Sequence, residues 1–337
     1  MARRCRVLNA PQYRASAEAP VDSSMRRTEL LIVGAAPYGL ATAAYAETRG
    51  VDHLLLGEPM EFWYRHMPDG MLLRSGPEWH IDPFETRTVD AYLGGRRSPR
   101  DRVTPLAVGV FREYGEWFAT EYDLRARPAW VKSLQKLDDS FQAELVDGQP
   151  LYARNVLLAL GFASFAKVPN KIVRDLPVGC WSHTCDTVRF DQFREQRCLI
   201  VGGRQSGYEW AALLAEHGAA EVHISHRHPT PSFTPADWSW VADLVRRSNA
   251  QPAWYAQLSP AAREDIGRRF WREGRLKLEP WLEPRLNRNN IRVWECTSLT
   301  SCRVADDGTI IAELDAGPML TVDHVILATG YRVDLAG

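Results

Sequence analysis

One short pattern occurs twice in this chain and sharply limits what it can fold into. An aliphatic run ends in a glycine-rich turn that opens a helix. In the first copy Leu30-Leu31-Ile32-Val33 leads into Gly34-Ala35-Ala36-Pro37-Tyr38-Gly39, a helical stretch and the apolar run His53–Leu56. In the second, Leu199-Ile200-Val201 leads into Gly202-Gly203-Arg204-Gln205-Ser206-Gly207, a helix to about Glu216 and the run Val222–Ser225. Each reads as a βαβ unit of about thirty residues. A later pattern repeats too: an alternating strand, then a run closing on Ala159-Leu160-Gly161 or Ala328-Thr329-Gly330. Gly34 to Gly161 is 127 positions and Gly202 to Gly330 is 128, which implies two copies of one architecture. The expected fold is therefore α/β, with two Rossmann-like, three-layer dinucleotide-binding domains, the second inserted in the first. The expected divisions are 1–24, a disordered extension (with Met25 as an alternative start); 25–172, the first domain; 173–318, the second; and 319–337, a return to the first.

A pyrophosphate needs backbone N–H donors and room to approach them, and a glycine turn at a helix N-terminus supplies both. Gly34 permits the tight turn, Ala36 keeps the approach to the pyrophosphate open, Gly39 lets helix and sheet pack closely, and Pro37 belongs to the same turn. The acidic partner of a ribose hydroxyl belongs about twenty residues beyond the last glycine, where Glu58 stands. In the second copy Arg204 replaces the middle glycine, and it either turns outward or meets phosphate directly. Gly202, Gln205, Ser206 and Gly207 complete that turn. The second return strand ends Ser225-His226-Arg227-His228 with no acid, so Arg227 favours a 2′-phosphate, hence NADPH over NADH.

Composition excludes several classes. A net charge of −1 leaves no footprint for nucleic acid. The longest uncharged run, Leu30–Ala46, is short for a bilayer and is broken by Gly34, Pro37 and Gly39, so no membrane partner is expected. Cysteines at 5, 180, 185, 198, 296 and 302 form no C-x-x-C pair, so no metal site is expected and a thioredoxin-reductase type is disfavoured. Scattered thiols suit a reducing cytoplasm.

Over about residues 27–337 the chain resembles the class B flavoprotein monooxygenases, which include flavin-containing monooxygenases and lysine/ornithine N-hydroxylases. More broadly it resembles the flavoproteins with two dinucleotide-binding domains. Asp323, Leu327, Ala328, Thr329, Gly330 and Tyr331 match an N-hydroxylase signature, although the His-Pro expected further on is absent. Gly179 and His183 partly meet a Baeyer–Villiger motif in which Pro177 replaces the aromatic residue. His183 reads first as a structural histidine and second as an acid or base. Trp63 and the stretch Met71–Ser75, with Arg74 and Ser75, resemble family segments that run beside the flavin. The resemblance implies FAD in the first domain, NADPH in the second, and Thr329-Gly330 at the return to the FAD domain. It implies a monooxygenase that uses oxygen on a small nucleophilic or carbonyl substrate, with no side chain assigned as catalytic. A flavin reductase with an external acceptor and a nucleotide-binding redox sensor without turnover stand as alternatives, and homo-oligomerisation stays open. Seven residues follow Gly330, where the family carries a further helix, so a truncated C-terminus is expected.

Overall fold

The structure, a computed structural model, describes residues 27–95 and 104–335. The expected disordered extension 1–24 lies outside them. The described chain forms two compact units, one running to Ala166 and resuming at Tyr331, the other spanning Lys167–Gly330.

In the first unit the elements follow as β1 (Arg27–Val33), α1 (Pro37–Thr48), β2 (His53–Leu56), α2 (Glu61–Arg65), α3 (Val89–Gly95), α4 (Val108–Glu121), β3 (Ala126–Arg127), β4 (Val131–Lys136), β5 (Phe141–Leu145) and β6 (Pro150–Leu158). The strand order is β3-β2-β1-β6-β5-β4. The first four are parallel, and β5 and β4 continue antiparallel from β6. Successive residues of a strand face opposite sides, and here the two sides meet different layers. Ile32 and Leu55 pack with Leu40, Ala43 and Ala44 of α1 and Tyr114 and Phe118 of α4. Leu31, Val33, Leu54 and Leu56 pack with Ala143, Leu145 and Leu151. The apolar runs Leu30–Val33 of β1 and Leu54–Leu56 of β2 are thus covered on both faces, as a parallel sheet requires.

The second unit holds α5 (Asn170–Val173), β7 (Trp181–His183), β8 (Arg197–Val201), α6 (Gln205–Glu216), β9 (Glu221–Ser225), β10 (Ser232–Phe233), α7 (Val241–Ala250), α8 (Trp254–Gln257), α9 (Pro260–Arg275), β11 (Lys277–Leu278), α10 (Glu283–Leu286), β12 (Ile291–Trp294), β13 (Leu299–Val304), β14 (Ile310–Leu314), β15 (Leu320–Val322) and β16 (His324–Leu327). Its main sheet is parallel, in the order β12-β9-β8-β16-β7. The antiparallel sheet β13-β14-β15 covers one face through Leu199, Val325 and Leu327.

One expectation needs correction. The sequence places residues 324–327, now β16, in the first domain, within the expected return 319–337. This strand lies inside the second sheet, between β8 and β7. All four of its residues are buried, so both edges need strand partners. Asp323 fixes its register at the preceding residue, accepting from the Arg197 backbone N–H (2.8 Å), Nε (3.1 Å) and NH2 (2.9 Å) at the start of β8. The chain re-enters the first unit only at Tyr331, which bridges to Ala166. Among the described residues no helix is long and apolar enough to cross a membrane.

Candidate functional site

In each unit the chain leaves β1 or β8 toward one side of the sheet and later returns on the other side. Ligands of open α/β sheets bind beyond the carboxyl ends of the strands at such a switch point. In the first unit it falls between β1 and β6, in the second between β8 and β16.

The first turn is packed to backbone contact. Gly34 has φ +109°, and a Cβ there would sit 2.1 Å from the Ala159 carbonyl oxygen; one at Gly39 would sit 1.7 Å from the Gly34 oxygen. Gly34 N–H donates to Leu56 O (2.9 Å) and Ala159 N–H to Val33 O (2.8 Å), which fixes the turn between its neighbours. Ala36 is the N-cap of α1 and Pro37 opens it, with no side chain capping the first turn. Beyond the turn opens a cleft of about 570 Å³. Gly34, Ala36 and Glu58 line it, joined by Trp130, Gly161 and Phe165. Glu58 already accepts from Arg65 NH2 at 2.5 Å.

Three further residues are expected beside the flavin. Trp63, Arg74 and Ser75 do not line the cleft. The Trp63 ring meets Phe111 edge-on (4.8 Å between centroids), and its carbonyl accepts from Arg112 Nε at 2.7 Å. Arg74 and Ser75 follow a stretch held by Leu73 N–H to Leu106 O (2.7 Å) and Val108 N–H to Met71 O (3.0 Å). Arg112 was missed in the sequence. It is buried, and it also reaches Asp69 Oδ1 (2.5 Å) and Met67 O (2.6 Å). Trp130 was also missed, yet it follows β3, and the ends of all parallel strands face the same crevice.

The second turn repeats the first. Gly202 has φ +129°, and its Cβ would sit 2.2 Å from Ala328 O; a Cβ at Gly207 would sit 2.2 Å from Gly202 O. Arg204 is the N-cap of α6 in the same extended conformation as Ala36. Its NH1 donates to the Arg275 carbonyl, and its guanidinium lies 5.7 Å from the Trp271 ring centre. The side chain thus lies against the last turn of α9 within this unit. Gln205 accepts from Glu279 N–H (3.1 Å) through Oε1, while its buried Nε2 has no partner among the described residues. Ser206 and Arg227 are exposed.

His226 fills space that is open in the first turn. A Cβ on Gly203 would lie 2.1 Å from its ring. Nδ1–H donates to His228 O (2.7 Å), so Nε2 accepts from the Tyr208 hydroxyl (2.8 Å). Burial holds this imidazole below its ordinary pKa, and hence neutral. Thr329 and Gly330 follow β16 and are tied to Lys167: Thr329 Oγ1 donates to Lys167 O, and Gly330 O accepts from Lys167 N–H (2.9 Å). His183 is fully buried beside them. Its Nδ1 accepts from Cys185 N–H (3.2 Å) and its Nε2–H donates to Gly330 O (3.1 Å), a structural role.

The comparisons agree with this architecture. A family model described as pyridine nucleotide-disulphide oxidoreductase matches residues 31–248, more than half the chain. The indole-3-pyruvate monooxygenase YUCCA1 of Oryza sativa subsp. japonica is 27% identical over 198 residues, 56% of this chain and 45% of that protein. A ferredoxin–NADP reductase of Thermus thermophilus is 26% identical over 206 residues, 60% of this chain and 54% of that one. The chain thus spans about half the length of the curated relatives it matches. The ornithine N-hydroxylase of Kutzneria sp. 744, solved with reduced FAD, NADP+ and L-ornithine, superposes with a TM-score of 0.72 at 14% identity, over 90% of this chain and 81% of that one, a likeness of fold. Two glycine turns at two switch points are what such a fold requires, and the chain belongs to the pyridine nucleotide-disulphide oxidoreductase family.

Proposed function

We propose that the chain is an FAD-dependent, NADPH-consuming oxidoreductase of the monooxygenase type, with FAD on the first turn and NADPH on the second. The observation that carries this reading is the pair of equivalent turns that end on opposite charges. Glu58 follows β2 in the first unit, and Arg227 stands at the same place after β9 in the second. A carboxylate there accepts from ribose hydroxyls, whereas an exposed guanidinium suits a 2′-phosphate.

The residues present fit both groups. A Cβ at Gly34 or Gly202 would drive into a neighbouring carbonyl, so each cradle admits only glycine. The N–H groups opening α1 and α6 receive no side-chain cap, which leaves them to a pyrophosphate. Among the described residues Gln205 keeps a buried amide N–H without a partner beside the second turn. When bound, FAD and NADPH supply the electron transfer, and the protein supplies binding and orientation. Glu58 and Trp130 flank the first cleft. Arg227 orients the coenzyme through its phosphate. Oxygen and a small nucleophilic or carbonyl compound complete the proposed reaction.

The likeness to a ferredoxin–NADP reductase favours a second reading, a reductase with an external acceptor. The test begins with FAD reconstitution, which should give an oxidised-flavin spectrum. Gly34→Val should lose the flavin, while Gly202→Val should keep it and lose NADP+ binding. A colourless reconstituted wild type would overturn the assignment. Stoichiometric oxygen uptake with an oxygenated product selects the monooxygenase, and acceptor reduction without it selects the reductase.

A further inference from the structure

The second turn carries a cluster that has no counterpart in the first. Arg204 and Arg275 both lie against the ring of Trp271, at 5.7 and 5.9 Å from its centre. Arg204 also donates to the Arg275 backbone carbonyl, which ties the turn to the last turn of α9. Trp271 is 55% exposed and Arg275 is exposed beside it, while Arg204 is half-buried. Among the described residues neither guanidinium pairs with a carboxylate, although this unit neutralises other arginines closely: Arg285 meets Glu216 at 2.8 Å and Arg197 meets Asp323 at 2.9 Å.

Two like charges gathered round one ring repel each other, and the ring returns only a modest attraction. Partial burial and the neighbouring Arg275 both push the Arg204 pKa down, which reports that cost. Such an arrangement becomes favourable when an anion enters between the charges. Position says which anion. Arg204 stands where Ala36 stands in the first turn, at the helix N-cap with the same extended backbone, and Ala36 lines the first cleft. Arg227 is reserved for the ribose end by its equivalence to Glu58.

We propose that Arg204, Trp271 and Arg275 form an anion clamp for the pyrophosphate of the second dinucleotide, with α9 supplying half of it. The turn then trades the bare backbone approach of the first unit for two guanidinium groups held at the right height by one indole. A guanidinium grips phosphate oxygens bidentately, which a lone backbone N–H cannot do. The inference rests on the proposed second-turn site for NADPH.

The test titrates NADP+ and NAD+ into FAD-loaded protein by calorimetry, for the wild type, Arg204→Ala, Arg275→Ala and Arg275→Lys. Pyrophosphate is common to both coenzymes. Each alanine variant should therefore weaken both by the same factor, about tenfold or more, with lysine recovering part of it. Arg275 is exposed, so Arg275→Ala keeps its thermal midpoint and remains decisive even if Arg204→Ala unfolds. Unchanged affinities in Arg275→Ala, with the wild type binding normally, overturn the clamp alone. A loss confined to NADP+ also overturns it, since the cluster would then read the 2′-phosphate. A wild type that binds neither coenzyme overturns the clamp and the second-turn reading together.

Discussion

The two glycine turns share a backbone and differ in what fills it. In the first, Ala35 carries its methyl opposite Gly57, whose own Cβ would lie 3.1 Å from the Ala35 nitrogen. In the second the sizes are exchanged: Gly203 has no side chain, and the His226 ring occupies the space a Cβ there would need. The middle position changes from Ala36 to Arg204, and the end of the return strand changes from Glu58 to Arg227. The comparison teaches that one turn geometry tolerates different side chains around it, which under the proposed function is where the choice between two nucleotides would lie. The turn itself admits almost no change, since its glycines abut carbonyl oxygens in both units.

The same contrast extends to buried charge, and acid should separate the units most. His183, His223, His226 and His324 all lie in the second unit, and burial lowers the pKa of each, that of His324 to about 4. A buried neutral histidine resists protonation that the unfolded chain accepts. Its contribution is therefore complete above about pH 6.5 and is lost as pH falls toward the folded value. His324 alone accounts for about 3 kcal/mol by pH 4. In the first unit burial alone would raise Asp82, but the N–H groups of Arg87, Phe84 and Thr86 and the Tyr122 hydroxyl hold it down to about 2. That contribution survives until the pH falls below the ordinary aspartate value. Hydrogen exchange at pH 7 and pH 5 should show Lys167–Gly330 loosening while the first unit stays protected. Equal loosening would break the comparison.

The next largest effect concerns coenzyme choice. Arg227→Ala should weaken NADPH relative to NADH by about 1.5–3 kcal/mol, the range for a charge-assisted hydrogen bond. Steady-state KM values for the two coenzymes measure it, and equal changes would remove Arg227 from the 2′-phosphate.

Packing comes third. Gly203→Ala places a methyl into the His226 ring and should cost about 1–3 kcal/mol of stability by overpacking. Adding His226→Gly recreates the first unit's arrangement and should recover part of that loss in a double-mutant cycle. Strict additivity in denaturant titrations would show that the two positions do not share the space. The smallest effect belongs to the exposed Glu58–Arg65 pair, where Arg65→Ala should cost under about 1 kcal/mol and leave Glu58 unpaired in the cleft.

The sequence by itself determined both strand–turn–helix units, their spacing and the sites of Gly34, Gly39, Gly202 and Gly207. These are local signals: an aliphatic run, a glycine where φ must be positive, and a helix that follows. It also put Glu58 and Arg227 just past the return strands β2 and β9, because their distance from the turn is fixed by the length of one helix. Other outcomes belonged to the tertiary structure. β16 lies 123 or more positions from its partner β8, and no local pattern says which sheet a buried apolar strand joins. Trp63 and Arg112 stand 49 apart, and only the packing of α2 against α4 joins them. Arg204 carried two readings in the sequence, outward or toward phosphate, and α9 decided its position. The indole and carbonyl that hold it come from residues 271 and 275, which approach the turn only once the connection between β9 and β12 has folded back. Backbone conformation is set by neighbours in sequence, whereas the destination of a long side chain depends on which distant element arrives beside it.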